Sequence, residues 1–526
     1  MPLGPRDLAV FARAAWRPER PDRLVRAAVA AAMSGPTVVG AFAAATARYP
    51  RATAIIDPRG ALSYVELWRA SDAAARRLRA DGVGPGTVVG LLCPNDRGFV
   101  IAMVAVARLG ADLVLLNTGF AGPQLAEATR AESVRLLVHD DDLSDIVAGC
   151  DVDRAFTTSE LEHGGVRSGR PLSPVLSEGR WVILTSGTTG RPKGAGRSGR
   201  GATASATALM AAIPIRARDT VVIAPPLFHA WGLAHLGLAL SLSSTVVLAP
   251  VFDAAATLAS LTAHDADGLI VVPTMLQRML AVATDEDGAP VPSGRSHLRY
   301  IASSGSDLGA GLATRAMTRF GPVVYNVYGS TEAAIAAIAT PADLAVEPAT
   351  VGRPAAGTVV RVVDTSGREV PSGTIGRVVV GSDATFSTYT DGTTRPRVDG
   401  LVATGDLGRV DADGRLFIIG REDDLIITGG ENVQPTEIEE CLRGHPGVDD
   451  VAVVGVDDDD LGQRLEVYVV RRKGQSLEPD DVRSHVRTRL ARFKVPAAVT
   501  FVERIPRTST GKIRRAEVAD RPSLGG

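Results

Sequence analysis

The sequence has very little cysteine, and charged residues are frequent in its first 26 positions. Its three cysteines, Cys93, Cys150 and Cys441, stand far apart and are odd in number, which argues against a disulfide framework and against a zinc site. Charges interrupt every apolar run before Ala27, so the secretory-signal pattern is missing. The net charge of −2 gives no general case for nucleic acid binding. We therefore expect a globular protein of a reducing cytoplasm that binds no nucleic acid.

Lysine is scarce because arginine supplies nearly all of the positive charge. The 57 basic residues divide into four lysines and 53 arginines, and the lysines are Lys193, Lys473, Lys494 and Lys512. Where arginine is the default cation, a retained lysine more often serves a purpose that needs a compact ammonium group. Lys193 and Lys512 are the most interesting of the four, because each lies in a polar segment that contains glycine.

Residues 221–250 contain no charged side chain, and the part from Trp231 to Leu248 is strongly apolar. A run of that length also fits a transmembrane helix. The Pro225-Pro226 pair, two histidines and a cluster of serines interrupt it, however. A buried helix followed by a buried strand is the better interpretation.

Short apolar runs alternate with helical patterns, which predicts an α/β fold with a mostly parallel sheet covered by helices. A chain of 526 residues exceeds one compact core, so we expect several domains. We predict an N-terminal extension (1–36), a large α/β domain (37–420) that includes a small antiparallel barrel-like part (351–420), and a small α+β domain (421–526). The Arg- and Ala-rich extension predicts a surface helix, with contact to a membrane surface as the alternative.

The most informative stretch, residues 182–195, is a strand followed by a polar, glycine-rich loop. Apolar Val182 to Leu184 predict the end of a buried strand. The backbone N–H groups, the hydroxyls and a lysine that follow suit a phosphate. The segment is not a Walker A loop, which needs Gly-Lys-Ser/Thr in succession. The candidate phosphate-binding residues are Thr185, Ser186, Gly187, Thr188, Thr189, Gly190 and Lys193.

The polar segment 303–307 stands where a predicted strand ends, the position at which open parallel sheets bind ligands. In a further polar segment, residues 326–332, Tyr328 can stack on a base and Glu332 offers a hard oxygen suited to Mg²⁺. His229 follows another strand, although a lone histidine in such a place is most often a core residue. Lys512, on a glycine-led loop, suits a mobile point charge, with a basic surface loop as the alternative.

Taken in order, these segments resemble the motifs of the adenylate-forming enzymes, which include acyl-CoA synthetases, luciferases and peptide-synthetase adenylation domains. The resemblance runs from about Thr37 to Arg515 and is greatest to bacterial fatty acyl-CoA ligases. A small departure is Leu184, where the family usually has an aromatic residue. The segments concerned are 182–195, 226–233, 303–307, 326–332, 404–408, 420–433 and 506–514.

The resemblance implies roles for single residues. Thr185 and Glu332 would hold Mg²⁺, and His229 and Trp231 would line the acyl site. The catalytic residues would be Lys512, Glu332 and His229. Besides the phosphate loop, the residues implied to bind ATP and AMP are Ser304, Gly305, Ser306, Asn326, Tyr328, Gly329, Thr331, Asp406, Arg421 and Lys512.

The resemblance also implies that the C-terminal domain is mobile and carries part of the thiol site. Asp423 occupies the position of the hinge. The turn formed by Thr428, Gly429 and Gly430 would border the pantetheine channel of CoA, where only glycine allows close passage.

The expected function is activation of a fatty acid by ATP to an acyl-adenylate, with pyrophosphate release, followed by transfer to CoA. An aryl-CoA ligase and a fatty acyl-AMP ligase that loads a carrier protein are the alternatives within this chemistry. A catalytically silent nucleotide- or lipid-binding protein is the alternative outside it. The expected partners are therefore a fatty acid, ATP with Mg²⁺, and CoA. Peripheral membrane contact and a homodimer are left open.

Overall fold

The fold was taken from a computed structural model of the chain. It describes residues 9–11, 13–14, 21–35, 37–163, 172, 178–186, 192–197, 199–282, 297–385, 390, 392–458, 460–508 and 511–519. For residues 185–186, 192–193, 195–197 and 199–200 it describes the backbone alone.

The first half of the chain builds two sheets, and the longer has nine strands in the order β15-β14-β13-β12-β11-β9-β10-β1-β2. Strands β1, β10, β9, β11, β12 and β13 run parallel, while β2, β14 and β15 add antiparallel edges. The strands are β1 (Thr53–Asp57), β2 (Gly60–Ser63), β9 (Thr220–Ile223), β10 (Thr245–Val247), β11 (Gly268–Val271), β12 (Tyr300–Ser303), β13 (Val324–Ser330), β14 (Ala334–Ala339) and β15 (Arg353–Pro354).

The second sheet has six strands in the order β6-β5-β3-β4-β7-β8 and is parallel except for its last pair. Its inner strands are wholly apolar or nearly so and are buried on both faces, as parallel strands between helices must be. The strands are β3 (Val88–Leu92), β4 (Asp112–Leu115), β5 (Leu136–His139), β6 (Arg154–Thr157), β7 (Trp181–Ser186) and β8 (Pro192–Arg197).

Helices cover both sheets, which confirms the predicted α/β architecture. Local sequence starts several of them: Ser63 and Glu66 form a reciprocal capping box, and the Asp96 carboxylate accepts from the N–H of Phe99. The helices of this part are α1 (Pro21–Ser34), α2 (Val38–Arg48), α3 (Tyr64–Ala80), α4 (Arg97–Ala107), α5 (Gly122–Ala131), α6 (Ser144–Val147), α7 (Thr158–His163), α8 (Gly199–Ala212), α9 (Ala230–Ser241), α10 (Ala254–Ala263), α11 (Pro273–Val282), α12 (Ala310–Phe320) and α13 (Pro341–Val346).

The uncharged stretch forms a buried helix and a short strand, α9 and β10, as the sequence predicts. Its alternative, a membrane span, gains no support: among the described residues, none of the helices has the length and apolar character that crossing a bilayer requires.

An antiparallel sheet follows, as expected from the change of pattern near residue 351. Its order is β16-β17-β19-β18, and β20 pairs with β19. The Gly352–Leu416 bridge ties it to the large sheet. The strands are β16 (Val359–Val363), β17 (Gly376–Gly381), β18 (Arg397–Val398), β19 (Leu401–Val410) and β20 (Leu416–Arg421).

The C-terminal part has a sheet and a hydrophobic core of its own, which confirms a smaller second domain. The sheet changes between Arg421 and Ile426, close to the predicted boundary of 420/421, which stays a prediction. The strands are β21 (Ile426–Thr428), β22 (Glu431–Val433), β23 (Val448–Asp458), β24 (Gly462–Arg471) and β25 (Ala498–Phe501), and the helices are α14 (Pro435–Arg443), α15 (Pro479–Arg487) and α16 (Arg515–Ala519).

Candidate active site

Four neighbouring parallel strands of the nine-stranded sheet end at one edge, and the polar segments found in the sequence follow them. The strands β9, β11, β12 and β13 end at Ile223, Val271, Ser303 and Ser330. Ligands of open α/β sheets bind beyond the carboxyl ends of the strands. This edge is therefore the candidate active site.

Glu332 sits at the tip of the tight turn between β13 and β14. The hydroxyl of Ser330 accepts from the N–H groups of Glu332 (3.2 Å) and Ala333 (3.0 Å), which fixes the turn. A side chain at Gly329 would collide with the carbonyl of Ala334, since its Cβ would lie 1.9 Å away. The Glu332 side chain is 12% exposed, and its Oε1 lies 3.3 Å from a guanidinium nitrogen of Arg395. Sequence reasoning missed Arg395, which belongs to no recognisable motif.

The Glu332 carboxylate has the oxygen ligands that the implied Mg²⁺ requires. Mg²⁺ usually keeps several waters and binds through one or two carboxylates plus substrate phosphates. Among the described residues, no group of three or more His, Cys, Asp or Glu side chains could hold a metal ion by itself. The single carboxylate of Glu332, in the turn between β13 and β14, fits an ion whose other ligands are waters and the phosphates of a nucleotide. The second implied ligand, the side chain of Thr185, lies outside the described part.

A hydrogen-bonded triad joins Tyr328, Asp406 and Arg421. The phenol of Tyr328 donates to Oδ2 of Asp406, and Nη1 of Arg421 lies 3.2 Å from Oδ1. Burial, aided by the nearby carboxylate, raises the pKa of Tyr328 well above its ordinary value, so the phenol stays protonated and donates. A side chain at Gly405 would crowd Arg421, whose Nη2 would lie 3.0 Å from its Cβ. The sequence-predicted nucleotide residues of three distant segments thus meet.

His229 is held in place by a residue from the other sheet. The buried amide of Asn95 donates to the carbonyl of Pro225 (2.8 Å) and accepts from the N–H of Leu227 (2.8 Å). His229 is the N-cap of α9 and its ring packs at 4.6 Å from that of Phe228. Asn95 therefore fixes the loop that presents His229, and sequence reasoning did not find it.

Trp231 and His235 stand one turn apart on α9 and form a rigid pair of rings. The indole N–H of Trp231 donates to the carbonyl of Val271 (3.0 Å), at the end of β11. The ring of His235 packs edge-on against the indole, with centroids 4.2 Å apart. Burial lowers the pKa of His235 to about 4, so this ring is neutral. Trp231 is half-buried and contacts the cores on both sides.

The C-terminal domain brings Lys512 to the same edge. The N–H of Thr508 donates to the Lys512 carbonyl (2.8 Å), and Arg507 donates to the carbonyl of Gly511 (2.7 Å). Gly511 has φ +85, and a side chain there would strike Thr274 at the start of α11, 2.7 Å from Oγ1. The loop that carries Lys512 therefore docks on the large domain.

Lys512 and His229 interact electrostatically. Burial first, and the ammonium of Lys512 second, lower the pKa of His229 to about 4. Because the imidazole of His229 is neutral, the positive charge of this pair lies on Lys512.

We predict that His229 does not titrate between pH 6 and 8. Because both burial and Lys512 disfavour the imidazolium, protonation should begin only below about pH 5. Histidine NMR signals followed against pH would measure this, with His229→Gln identifying the resonance. In Lys512→Ala the pKa should rise toward the ordinary value. A His229 pKa near 6.5 in the intact protein would contradict the arrangement.

Several other predicted residues have structural partners. The amide of Asn326, which is buried, donates to the carbonyl of Thr350 at 3.2 Å. The turn with Ser304, Gly305 and Ser306 follows β12, and Gly305 has φ +98. Thr331 lies beside Glu332 in the turn after β13.

The hinge and thiol-site residues lie where the two domains meet and beyond. Asp423 pairs with Nη2 of Arg421 at 3.3 Å, between the last strand of one domain and the first of the next. Thr428 ends β21, and Gly429 and Gly430, with φ +56 and +83, make the tight turn to β22. Their roles as hinge and as wall of a CoA channel stay predictions.

The phosphate loop is described in part. Strands β7 and β8 pair antiparallel, so the backbone of Lys193 lies opposite that of Thr185, and Pro192 lies opposite Ser186. The predicted residues Gly187, Thr188, Thr189 and Gly190 lie outside the described residues, as do the side chains of Thr185, Ser186 and Lys193.

Comparison with known proteins gives the same picture. The family profile described as AMP-binding enzyme matches residues 42–390, and its C-terminal domain profile matches 437–512. The chain belongs to the AMP-binding enzyme family. The motif order that the sequence displays is thereby confirmed as that of an adenylate-forming protein.

This AMP-binding enzyme is similar to several CoA ligases over most of its length. It is 34% identical to a feruloyl-CoA synthase of Amycolatopsis, over 90% of this chain and 96% of that protein. It is 33% identical to an indoleacetate–CoA ligase of Aromatoleum aromaticum, over 89% and 95% of the two chains. Among solved structures it resembles the o-succinylbenzoate CoA synthetase of Bacillus subtilis with its acyl-adenylate, with a TM-score of 0.82, 26% identity, and coverage of 92% and 98%.

Proposed function

We propose that this AMP-binding enzyme is an aryl-CoA ligase, which activates an aromatic or arylalkanoic acid with ATP and transfers the acyl group to CoA. The proposed substrate is therefore an aromatic acid, the alternative given by the sequence analysis, and not the fatty acid that the sequence favours. The observation that carries it is the indole of Trp231, two residues after His229, which is held by its hydrogen bond to the carbonyl of Val271 and by the edge-on ring of His235. The names of the relatives, which act on ferulate, indoleacetate and o-succinylbenzoate, support the same class.

The chemistry divides into two steps. A carboxylate oxygen attacks the α-phosphorus of ATP, the bond from that phosphorus to the bridging oxygen breaks, and pyrophosphate leaves. Lys512 would face the carboxylate and the α-phosphate, where negative charge gathers. The thiol of CoA then attacks the acyl carbon, and AMP leaves.

The residues described here would serve the first step in distinct ways. Glu332 would hold Mg²⁺, which would neutralise part of the negative charge of the phosphates. Asp406, already bonded to Tyr328 and Arg421, would accept from the ribose hydroxyls. His229, neutral and fixed through Asn95, would border the acid without adding a second positive charge.

A rigid aromatic wall favours flat substrates over flexible chains. The indole of Trp231 cannot turn without losing its hydrogen bond to the carbonyl of Val271. Stacked or edge-on contacts between rings add to the free energy that area burial gives. A long alkyl chain would gain only burial and would lose more conformational freedom.

We predict that pyrophosphate release requires ATP, Mg²⁺ and an aromatic acid, and that acyl-CoA forms only when CoA is added. The measurement is pyrophosphate release across ferulate, 4-coumarate, indoleacetate, benzoate, octanoate and palmitate. The rate with ferulate or indoleacetate should exceed that with the alkyl acids by about fivefold, since loss of one good ring contact costs on the order of 1 kcal/mol.

Two outcomes would contradict parts of this proposal. Faster turnover of octanoate or palmitate would restore the fatty acid as substrate. A thioester formed with a holo carrier protein but not with CoA would change the acceptor. Trp231→Leu serves as the matched variant, because it keeps an apolar side chain and should narrow the preference for aromatic acids.

A further inference from the structure

The loop with Lys512 is one of several contacts between the two domains. Next to it, the side-chain amide of Gln277, on α11, donates to the carbonyl of Asp449 at 3.3 Å. Thr274, also on α11, packs against Gly511. These contacts belong to the domain orientation in which Lys512 faces His229.

The start of α12 takes its capping carboxylate from the other domain. Its own N-cap is Gly309, which has φ +67 and provides no side-chain cap. Instead, the carboxylate of Glu440, on α14 of the C-terminal domain, lies at this helix start, close to Gly309 and the N–H of Ala310. Free N–H groups and the dipole at a helix start favour a carboxylate there. Gly309 leaves the space for it, because a Cβ would lie 3.3 Å from Glu440 Oε1.

Charges around this contact are arranged to favour the same orientation. Arg443, one turn after Glu440 on α14, attracts both Glu440 and Asp307, the last residue of the turn after β12. Asp307 repels Glu440, so the arginine compensates a pair of like charges across the domain boundary. Both residues are largely exposed, although burial of their carboxyl groups in the contact raises the pKa of both, and a contact between exposed residues is weak enough to be broken.

The same face of α14 is connected to the loop that carries Lys512. Arg443 lies 3.3 Å from the buried carboxylate of Glu439, and Arg515 lies 2.5 Å from the other oxygen of that carboxylate. Arg515 is three residues after Lys512. Through Glu439, the helix that carries Glu440 is bonded to Arg515, in the segment that follows Lys512, within the C-terminal domain.

We propose that Glu440 is a positioning residue, an interdomain cap of α12 that stabilises the orientation in which Lys512 faces the acid. The inference rests on the proposed function for the meaning of that orientation. It assigns Glu440 to acyl-adenylate formation alone, because the expected turn of the C-terminal domain about Asp423 before thioester formation would break the cap.

The test compares three variants in the two half-reactions. Glu440→Ala removes the cap, and Glu440→Gln keeps an oxygen but loses the charge. Glu437→Gln, on the same helix, is the matched control, because Glu437 pairs with Lys494 (2.6 Å) inside the C-terminal domain. Acyl-adenylate formation is timed by pyrophosphate release, and the second step by thioester formation from synthetic feruloyl-adenylate and CoA.

The expected result is a selective loss in the first step. Glu440→Ala should slow acyl-adenylate formation by about three- to tenfold, the range typical of a lost helix cap, and Glu440→Gln by less. Thioester formation should be unchanged or faster in both. Glu437→Gln should leave both steps as they are. Equal slowing of the two steps in Glu440→Ala, or no slowing of either, would overturn the proposal.

A second measurement does not depend on the acid. Spin labels on Asp145→Cys and Lys473→Cys, both exposed positions, report the distance between the domains when Cys150 and Cys441 are replaced by serine. Glu440→Ala should broaden or shift the distance distribution, whereas Glu437→Gln should not. Indistinguishable distributions would overturn the proposal even in an active enzyme. If no acid is activated, the proposed function fails, and this distance still tests the cap.

Discussion

Replacing Lys512 with alanine should remove acyl-adenylate formation and leave thioester formation intact. The loop of Lys512 docks against Thr274 with the ammonium near His229, at the edge where the acid and the α-phosphate would meet. Loss of one preorganised donor to a charged transition state costs about 2–4 kcal/mol, or roughly 30- to 1000-fold in rate. We expect the C-terminal domain to turn about Asp423 before thioester formation, so the missing ammonium should not affect that step.

The hinge variant should give the reverse pattern. Asp423→Pro fixes φ where the chain would have to turn, so it should slow thioester formation more than acyl-adenylate formation. Because Asp423 also pairs with Arg421, Asp423→Ala is the control for the lost ion pair. Both half-reactions can be timed with supplied acyl-adenylate. If Lys512→Ala slows the two halves alike, the domains do not alternate as inferred.

Replacing Glu332 with glutamine should weaken adenylation by about 100-fold and raise the Mg²⁺ concentration needed for half-maximal rate. Glutamine keeps the size of the side chain but removes the charge that a hard divalent ion requires. The stability should change by less than about 1 kcal/mol, since the partner Arg395 is 34% exposed and such pairs contribute little. Rate against Mg²⁺ concentration, with a thermal melt alongside, measures both.

Arg395 provides the comparison for this experiment. Arg395→Gln leaves the Glu332 carboxylate without its 3.3 Å guanidinium neighbour, so the carboxylate should become more available to Mg²⁺. The Mg²⁺ midpoint should therefore fall, opposite to the rise in Glu332→Gln. An unchanged midpoint in Glu332→Gln would remove this carboxylate from the metal site.

The sequence predicts the parts of the site that follow from local chemistry. The turn of residues 303–307 follows β12, as the apolar run before it predicts, and Tyr328 and Glu332 lie at the same edge because the carboxyl ends of parallel strands share one edge. The uncharged stretch around Trp231 forms a helix and a strand as periodicity and its interruptions indicate. Local pattern is sufficient where neighbours along the chain are also neighbours in space.

Contacts between distant segments could not be predicted in this way. Asn95 is 132 residues from Leu227, and Arg395 is 63 residues from Glu332. An asparagine after a strand and an arginine in a loop have many ordinary explanations, and only the packing of one sheet against another selects one. The sequence favours a fatty acid because the uncharged segment 221–250, with few aromatic residues near it, suits an aliphatic tail, whereas the ring geometry at Trp231 and His235 appears only in three dimensions.

The amide of Asn95 has a consequence for recombining this enzyme with its relatives. The loop from Pro225 to Leu227 follows strand β9 of the large sheet. Its position is set by Asn95, which follows strand β3 of the six-stranded sheet, far upstream. Transplanting the helix with Trp231 and His235 alone would therefore transfer the proposed lining of the acid site without Asn95, which fixes the loop before that helix. A useful crossover keeps position 95 and the loop in the same parent, so the exchangeable unit of specificity is discontinuous in sequence.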